Sequence, residues 1–213
     1  MNRGSEGSLQ GLCARGEENF GSVRSRLYSL TARWRRRFID FVANDLLSRN
    51  PRSVLDIGCG PCDVLLQLRS REIELYGVDP SPHMLMLAKK KIGDSTDDTA
   101  LSKVYLSLGN SRLIPFDKKF DMIFASLSFH HWKNREECIP YILTRLNENG
   151  EFAIYEYDRD ALSFFRRIVA GKHALSRNDV KGLGFDGYQK TIELSEPFII
   201  VRFKKTGSWL PGA

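Results

Sequence analysis

The sequence predicts an α/β fold in which a doubly wound, mostly parallel, seven-stranded sheet ends in an antiparallel C-terminal hairpin. Strand-like apolar runs alternate five times with helical patterns, and only three residues separate the last two strand-like runs. Alternation of this kind indicates parallel strands joined by right-handed crossovers, with helices on both faces of the sheet. The short final connection requires antiparallel neighbours. Ligands of such sheets bind beyond the carboxyl ends of the strands, where the strand order reverses.

Each element has its own signal. Apolar runs bounded by turn residues predict strands over residues 54–57, 73–79, 104–108, 120–129, 151–158, 188–194 and 198–205. Apolar residues at spacings of three and four predict helices over 23–48, from a cap at Asp63, from Pro82, from Ile139 to a cap at Asn149-Gly150, and over 161–183 with a break near Gly171.

The composition fits a single domain. With 213 residues, of which 42% are hydrophobic and 27% charged, the chain can bury one core. We expect a flexible tail over 1–22, one domain over 23–206 whose helix 23–48 acts as a lid, and a C-terminal tail over 207–213. No apolar run reaches the roughly 18 to 20 residues that span a bilayer, and the N-terminus lacks a secretory core. Four scattered cysteines favour a reducing, cytoplasmic location.

The first predicted helix is rich in arginine. The net charge is +6, and six arginines fall within residues 23–38: Arg24, Arg26, Arg33, Arg35, Arg36 and Arg37. They form either a patch for nucleic acid or another polyanion, or the solvated face of an amphipathic helix. In the second interpretation the buried face consists of Leu27, Leu30, Trp34, Phe38 and Phe41.

The turn after the first strand, "VLDIGCGPCD", brings bare backbone towards a ligand through Gly58 and Gly60. A dinucleotide fingerprint would need a third glycine at position 63, which is Asp63. Because a carboxylate at a helix start takes the place of a phosphate charge, a ligand without phosphate is favoured. Asp56, just before the turn, suits a cationic or amino-bearing group.

Two cysteines in this turn, Cys59 and Cys62, have the spacing of a redox dithiol or half a zinc site. The other two, Cys13 and Cys138, do not supply a second pair, and no histidines stand at ligand spacing. We therefore expect structural cysteines and no metal site.

The next strand ends predict an adenosyl ligand. Asp79 ends the second strand a little over twenty residues after Asp56, where a carboxylate can accept both hydroxyls of a ribose. The alternative is an aspartate that caps the following helix. Asn110, after the third strand, can offer an amide to an adenine edge, with Pro80 and Met84 as apolar surfaces for the ring.

With these residues in order, the sequence resembles the class I S-adenosylmethionine-dependent methyltransferases. The first motif is "VLDIGCGPC" and the second "YGVDPSPHMLMLAKKK"; "GNSRLIPFDKKFDMIFASLSFHHW" and "LNENGEFAIYEYD" resemble the later ones. The resemblance is close over residues 54–158. It implies a Rossmann-like three-layer sandwich, S-adenosyl-L-methionine as cofactor, and methyl transfer.

The resemblance also implies roles for individual residues. The methionine end of the cofactor would be held by Asp56, Gly58 and Gly60, and the ribose by Asp79; Pro80 and Ser81 would flank the adenine, Asn110 and Ser111 would face its amino edge, and Ser126 would border the methyl donor. Two positions depart from the family pattern. Cys62 replaces the usual third glycine, and Asn110 replaces the usual aspartate while still offering an acceptor oxygen.

A sulfonium methyl group is already activated, so positioning the acceptor does much of the catalysis. A general base is needed only if the acceptor must lose a proton. The candidates are His130, His131, Glu156 and Asp158, with His130 as the first choice. The alternative is a loop histidine that only shapes the pocket.

The segment after the fourth strand, "SLSFHHW", narrows the acceptor class. It lacks an Asn-Pro-Pro-Tyr or Asp-Pro-Pro-Tyr signature, which counts against methylation of exocyclic base amines. It also lacks a Pro-Cys nucleophile, which counts against methylation of a cytosine carbon. No large recognition domain is inserted, and Tyr28 and Trp34 of the lid helix are available to contact a ligand. We expect a small-molecule acceptor, with an RNA- or protein-directed enzyme or a non-catalytic binding subunit as alternatives.

Overall fold

The structure, a computed structural model, describes residues 32–69, 72–94, 103–162 and 174–206. The predicted tails over 1–22 and 207–213 lie outside the described residues, as do residues 23–31 of the expected lid. Most of the helical region expected over 161–183 lies outside them as well.

The described elements alternate as the sequence predicts. The strands are β1 Ser53–Ile57, β2 Glu74–Asp79, β3 Val104–Leu108, β4 Phe120–Ser126, β5 Leu146–Tyr157, β6 Tyr188–Ser195 and β7 Phe198–Lys205. The helices are α1 Ala32–Ser48, α2 Asp63–Leu68, α3 Pro82–Asp94, α4 Arg135–Thr144 and α5 Arg177–Lys181, with a 3₁₀ turn over Phe129–His131. None of the described helices is long and apolar enough to cross a membrane.

The sheet has the order β3-β2-β1-β4-β5-β7-β6. Strands β1 to β5 are parallel, and β7 runs antiparallel to both β5 and β6. This arrangement confirms the predicted doubly wound sheet with its antiparallel hairpin. The order reverses between β1 and β4, so a ligand crevice is expected at the carboxyl ends of these two strands.

Two apolar cores cover the two faces of the sheet, because alternate residues of each strand point to opposite sides. Leu55 of β1 lies in the core under α4, whereas Val54 lies in the core under α1, α2 and α3. All five residues of β1 are buried, as expected for a central parallel strand.

Helix α1 forms part of a core layer. Phe38, Val42 and Leu46 are at most 1% exposed and pack on the sheet, whereas Arg36 and Arg37 are exposed. Helix α1, the described part of the expected lid, thus packs on the sheet, and its role as a lid stays a prediction.

The boundaries around β4 and β5 differ from the prediction. Strand β4 ends at Ser126, and Phe129 lies in the 3₁₀ turn. Helix α4 ends at Thr144, and Asn149-Gly150, predicted to cap it, lies inside β5. The physical reason is sheet pairing: Leu146 already pairs with Phe120, and an irregularity before Met122 accommodates the Asn-Gly segment. Asp63, predicted as a cap, is the first residue of α2, and Cys62 is the cap.

Candidate active site

The turn after β1 is built on Gly58. The backbone N–H groups of Gly58 and Cys59 both donate to the Val78 carbonyl of β2, at 2.8 and 3.0 Å. Gly58 has φ +79°, and a Cβ atom there would lie 2.6 Å from Cβ of Ser128. Only glycine fits both the left-handed backbone and this close approach.

Gly60 faces open space instead. It has φ +51°, and apart from its chain neighbours no atom of the described residues lies within 4 Å of the point where a Cβ atom would stand. Its N–H group donates to Oδ2 of Asp79 at 2.9 Å, which joins the two predicted cofactor-binding strand ends. The open surface above the turn can accommodate a ligand in contact with bare backbone.

Asp56 is a buried carboxylate near the end of β1. It is 1% exposed, and its Oδ1 has no hydrogen-bond partner among the described residues. Burial, followed by repulsion from Asp79, raises the pKa of Asp56 well above its ordinary value. A cationic amino group placed beside Oδ1 would satisfy both the hydrogen bond and the charge, so the residue fits the amino end of S-adenosylmethionine.

Asp79 is held by backbone donors on both sides. Its Oδ1 accepts from the Ser81 N–H at 2.8 Å, and its Oδ2 accepts from Gly60. Burial raises the pKa of Asp79 to about 6, although these two backbone hydrogen bonds oppose the shift. Each carboxylate oxygen has a second lone pair for a ribose hydroxyl. Ser81 is buried and Pro80 partly buried beside it.

Asn110 and Ser111 form hydrogen bonds within the protein, and their contact with adenine stays a prediction. Oδ1 of Asn110 accepts from the backbone N–H groups of Arg112 and Leu113, at 2.9 and 3.1 Å. The oxygen expected to face the adenine amino group is therefore engaged in the turn, which favours the amide N–H₂ as the group offered to a ring nitrogen. The Ser111 hydroxyl donates to Sγ of Cys138 in α4, at 3.3 Å.

The two cysteines of the turn are buried free thiols. A side-chain hydrogen bond of Cys59 with Cys62, followed by burial, raises the pKa of the Cys59 thiol, so it stays protonated. Cys62 has φ 61° and ψ 30°, the left-handed conformation of the glycine that it replaces. Among the described residues there is no group of three or more potential metal-ligating side chains.

The loop after β4 connects Ser126, which ends that strand, to the turn after β1. Leu127 has a positive φ of 49°, a conformation that costs a branched residue free energy. The Ser128 hydroxyl donates to the Ile57 carbonyl at 2.7 Å and packs against Gly58. Neither feature has a local sequence signal, because both depend on the neighbouring strand.

Of the four candidate bases, the structure brings His130 and Glu156 together. Nδ1 of His130 lies 3.0 Å from Oε2 of Glu156, and the His130 backbone N–H donates to Oε1 at 3.2 Å. The His131 ring lies 3.9 Å from the His130 ring. Asp158 instead holds Arg177 through two hydrogen bonds of 2.7 and 3.0 Å.

Sequence reasoning named both His130 and Glu156 but missed the pair. The signal was present in the period of two along β5, where Phe152 and Ile154 share one core with Phe129. Glu156 continues that face of the strand, so it could have been assigned to the side that carries the loop after β4.

Aromatic side chains surround the carboxyl end of β5. Tyr157, Phe198 and Phe38 lie within 5.5 Å of one another between ring centroids. Phe41 adds a ring 4.9 Å from Phe198. The cluster presents partly buried aromatic surface from β5, β7 and α1 close to the strand ends.

The site and the strand order together define a Rossmann-like methyltransferase fold. Residues 55–154 match a family model described as a methyltransferase domain. This match covers just under half of the chain, and relatives named methyltransferases are 26–28% identical to it, which confirms that the chain resembles methyltransferases.

Two relatives of the chain are named as methyltransferases. A demethylmenaquinone methyltransferase of Thermotoga maritima is 27% identical over 132 residues, 61% of this chain and 52% of that protein. One of Deinococcus radiodurans is 26% identical over 175 residues, 76% of this chain and 68% of that protein. The chain spans about half to two thirds of the length of these relatives.

Solved structures establish the fold. The plantazolicin methyltransferase BpumL in complex with SAH superposes with a TM-score of 0.68 at 15% identity, covering 87% of this chain and 91% of that one. The PH0226 protein of Pyrococcus horikoshii superposes with a TM-score of 0.63 at 18% identity, covering 82% and 91%.

Proposed function

We propose that the protein transfers the methyl group of S-adenosylmethionine to a small, apolar acceptor. The observation that carries this proposal is the buried Asp56 oxygen without a partner among the described residues, placed beside the open turn at Gly60. A buried carboxylate of this kind is costly unless a cation reaches it. The amino group of the cofactor supplies that cation.

The proposed cofactor site extends along the strand ends. When bound, S-adenosylmethionine supplies an electrophilic methyl group on its sulfonium. The methionine end is assigned to Asp56, Gly58 and Gly60, the ribose to Asp79, the adenine to Pro80, Ser81, Asn110 and Ser111, and the border of the methyl group to Ser126.

Two observations support an apolar, aromatic acceptor. The aromatic cluster of Phe38, Phe41, Tyr157 and Phe198 lies at the carboxyl end of β5, on the face of the sheet opposite to that of Glu156. The relatives from Thermotoga maritima and Deinococcus radiodurans are named for demethylmenaquinone, which carries a naphthoquinone ring. We therefore choose 1,4-naphthoquinol as the first acceptor to test.

Cofactor binding is tested by titrating SAH into the protein by calorimetry. We expect Asp56→Asn to weaken the affinity about tenfold or more, because the charge that meets the amino group is lost. Asp121→Asn is the matched control: Asp121 also lies in a central strand, but it bonds Arg52, Ser53 and Asn147 at the opposite edge of the sheet. Equal affinities for the two variants would contradict the proposed cofactor site.

Acceptor class is tested with methyl-labelled cofactor. Label is expected in 1,4-naphthoquinol or in a small-molecule fraction of cell extract. Label in RNA would contradict the small-molecule proposal, above all if it falls with salt and with the double substitution Arg36→Ala and Arg37→Ala. SAH binding without any labelled product would indicate a non-catalytic subunit.

A further inference from the structure

We infer that Glu156 fixes the tautomer of His130 so that Nε2 of this histidine receives the proton of a hydroxyl-bearing acceptor. The inference rests on the proposed function, and it narrows the acceptor to a phenol, an enol or a hydroquinone. Glu156 would be a positioning residue, and His130 the catalytic base.

Glu156 can serve this role because it is fully buried and binds His130 twice. Its side chain is 0% exposed, and that of His130 is 6% exposed. One carboxylate oxygen accepts from the backbone N–H group, and the other lies 3.0 Å from Nδ1. The inference takes Glu156 as the acceptor of both hydrogen bonds, which places the proton of the neutral ring on Nδ1. In the neutral ring, Nε2 is then the nitrogen that can accept a proton.

The loop that carries His130 is held from a second side by Arg135. Its guanidinium donates to the carbonyls of Phe129 and His130, at 3.3 and 3.5 Å, and lies 4.5 Å above the Phe129 ring. Among the described residues, Arg135 and His130 act on Glu156, and Asp179 acts on Arg135 in turn. Both ends of the 3₁₀ turn are therefore anchored around the imidazole.

The location of the pair connects it to methyl transfer. Glu156 lies near the carboxyl end of β5, and Ser128, two residues before His130, packs against Gly58 of the cofactor turn. His130 thus lies on the loop that follows β4, and this loop contacts the turn after β1. A base benefits from this arrangement because the carboxylate stabilises the imidazolium form.

The proposed step is a nucleophilic substitution at the methyl carbon. The acceptor oxygen forms a bond to the methyl carbon while the carbon–sulfur bond breaks and its electron pair stays on sulfur. The hydroxyl proton moves to Nε2 of His130, and the Nδ1–H bond to Glu156 is retained. A hydroxyl acceptor needs this help because its neutral oxygen is a weak nucleophile. An acceptor without a proton to lose, such as a thioether, would not need a base.

The tautomer is measured by long-range ¹H–¹⁵N correlation of the histidine rings in the full chain, with His130→Asn identifying the His130 signals. We expect the Nδ1–H tautomer in the wild type and its loss as the dominant form in Glu156→Gln. Glu151→Gln is the matched control, since Glu151 is a buried carboxylate of the same strand that binds Arg202. An Nε2–H tautomer in the wild type, or no change in Glu156→Gln, would overturn the inference.

Proton acceptance is measured with 4-nitrophenol in the presence of SAH, from the absorbance of the phenolate. We expect the protein–SAH complex to increase the bound phenolate, and Glu156→Gln or His130→Asn to abolish that increase. With 1,4-naphthoquinol, if it is methylated, either variant should lose about 100-fold or more in kcat while SAH affinity stays unchanged. Failure of SAH to bind would refute the proposed function; normal SAH binding without phenolate formation would refute only this inference.

Discussion

At the scale of single residues, the two glycines of the first turn have different reasons to be glycine. Gly58 combines a positive φ with a Cβ position that Ser128 already occupies, whereas Gly60 has the positive φ and open space around it. The first is required by the fold of the protein itself, and the second leaves room for a ligand. Substitution by alanine therefore separates stability from binding.

We expect Gly58→Ala to lower the free energy of unfolding by about 2–4 kcal/mol, because left-handed strain adds to overlap with Ser128. Gly60→Ala should cost only about 1 kcal/mol, from the backbone strain alone. It should nevertheless weaken SAH binding about tenfold or more, since the alanine methyl group would occupy the space beside residue 60 where we place the ligand. Urea unfolding and calorimetry measure the two effects. Wild-type affinity in Gly60→Ala would show that no ligand lies against this turn.

Cys62 shows what one residue can hide from sequence reasoning. The sequence shows a cysteine where the family pattern has its third glycine. In the structure the residue keeps the left-handed backbone of a glycine and is fully buried. A sequence gives the identity of a residue but not the φ angle imposed by its neighbours.

At the scale of elements, a buried arginine attaches α1 to the sheet. Arg202 of β7 donates to Asp45 of α1 at 2.8 Å, to Glu151 of β5 at 2.9 Å and to Glu193 of β6 at 2.9 Å. Tyr155 donates to the same oxygen of Asp45 at 2.5 Å. Four elements therefore meet at one guanidinium whose side chain is 4% exposed.

We expect Arg202→Met to destabilise the protein by about 3–5 kcal/mol, because the buried Glu151 and the partly buried Asp45 lose the cation that donates hydrogen bonds to them. Arg49→Met is the control. Arg49 lies 3.6–3.7 Å from the same two carboxylates, Asp45 and Glu151, but is 37% exposed. Its loss should cost less than about 1 kcal/mol. Similar unfolding midpoints in urea for the two variants would contradict this ranking.

The elements also show how far the sequence predicts the fold. Alternating strands and helices and the final hairpin were predicted correctly, because burial patterns and short turns are local signals. The boundary between α4 and β5 was wrong, since an Asn-Gly pair is equally compatible with a helix end and with an irregular strand. Only the pairing of Leu146 with Phe120 decides between them. The contact of His130 with Glu156 likewise depends on the pairing of β4 with β5.

At the scale of the whole molecule, the candidate site places two buried carboxylates at one edge of the sheet. Burial raises the pKa of both Asp56 and Asp79, so each destabilises the folded chain when it is ionised. A ligand that donates to them stabilises the charged form. Binding and stability should therefore respond to pH in opposite directions.

The direction of the pH dependence of stability follows from which state, native or unfolded, binds the Asp79 proton more tightly. Because the folded pKa of Asp79, about 6, lies above its ordinary value of 3.8, the native state holds the proton longer than the unfolded chain. Its contribution to stability is present at low pH and is lost as pH rises from about 4 to 6, by about 3 kcal/mol. Asp121 contributes in the opposite direction, because hydrogen bonds that outweigh burial lower its pKa, so the comparison must be made within matched variants.

We expect the unfolding free energy of the wild type, relative to Asp79→Asn, to fall as pH rises through this range, because the asparagine variant cannot ionise. SAH should bind the wild type more tightly as pH rises through about 6, since ribose hydroxyls donate to the carboxylate, and this dependence should flatten in Asp79→Asn. Urea unfolding and calorimetry at matched pH values measure both trends. Parallel stability curves for the two proteins would show that Asp79 has no raised pKa. If only the trend in SAH affinity were missing, Asp79 would cap α3 without contacting the ribose.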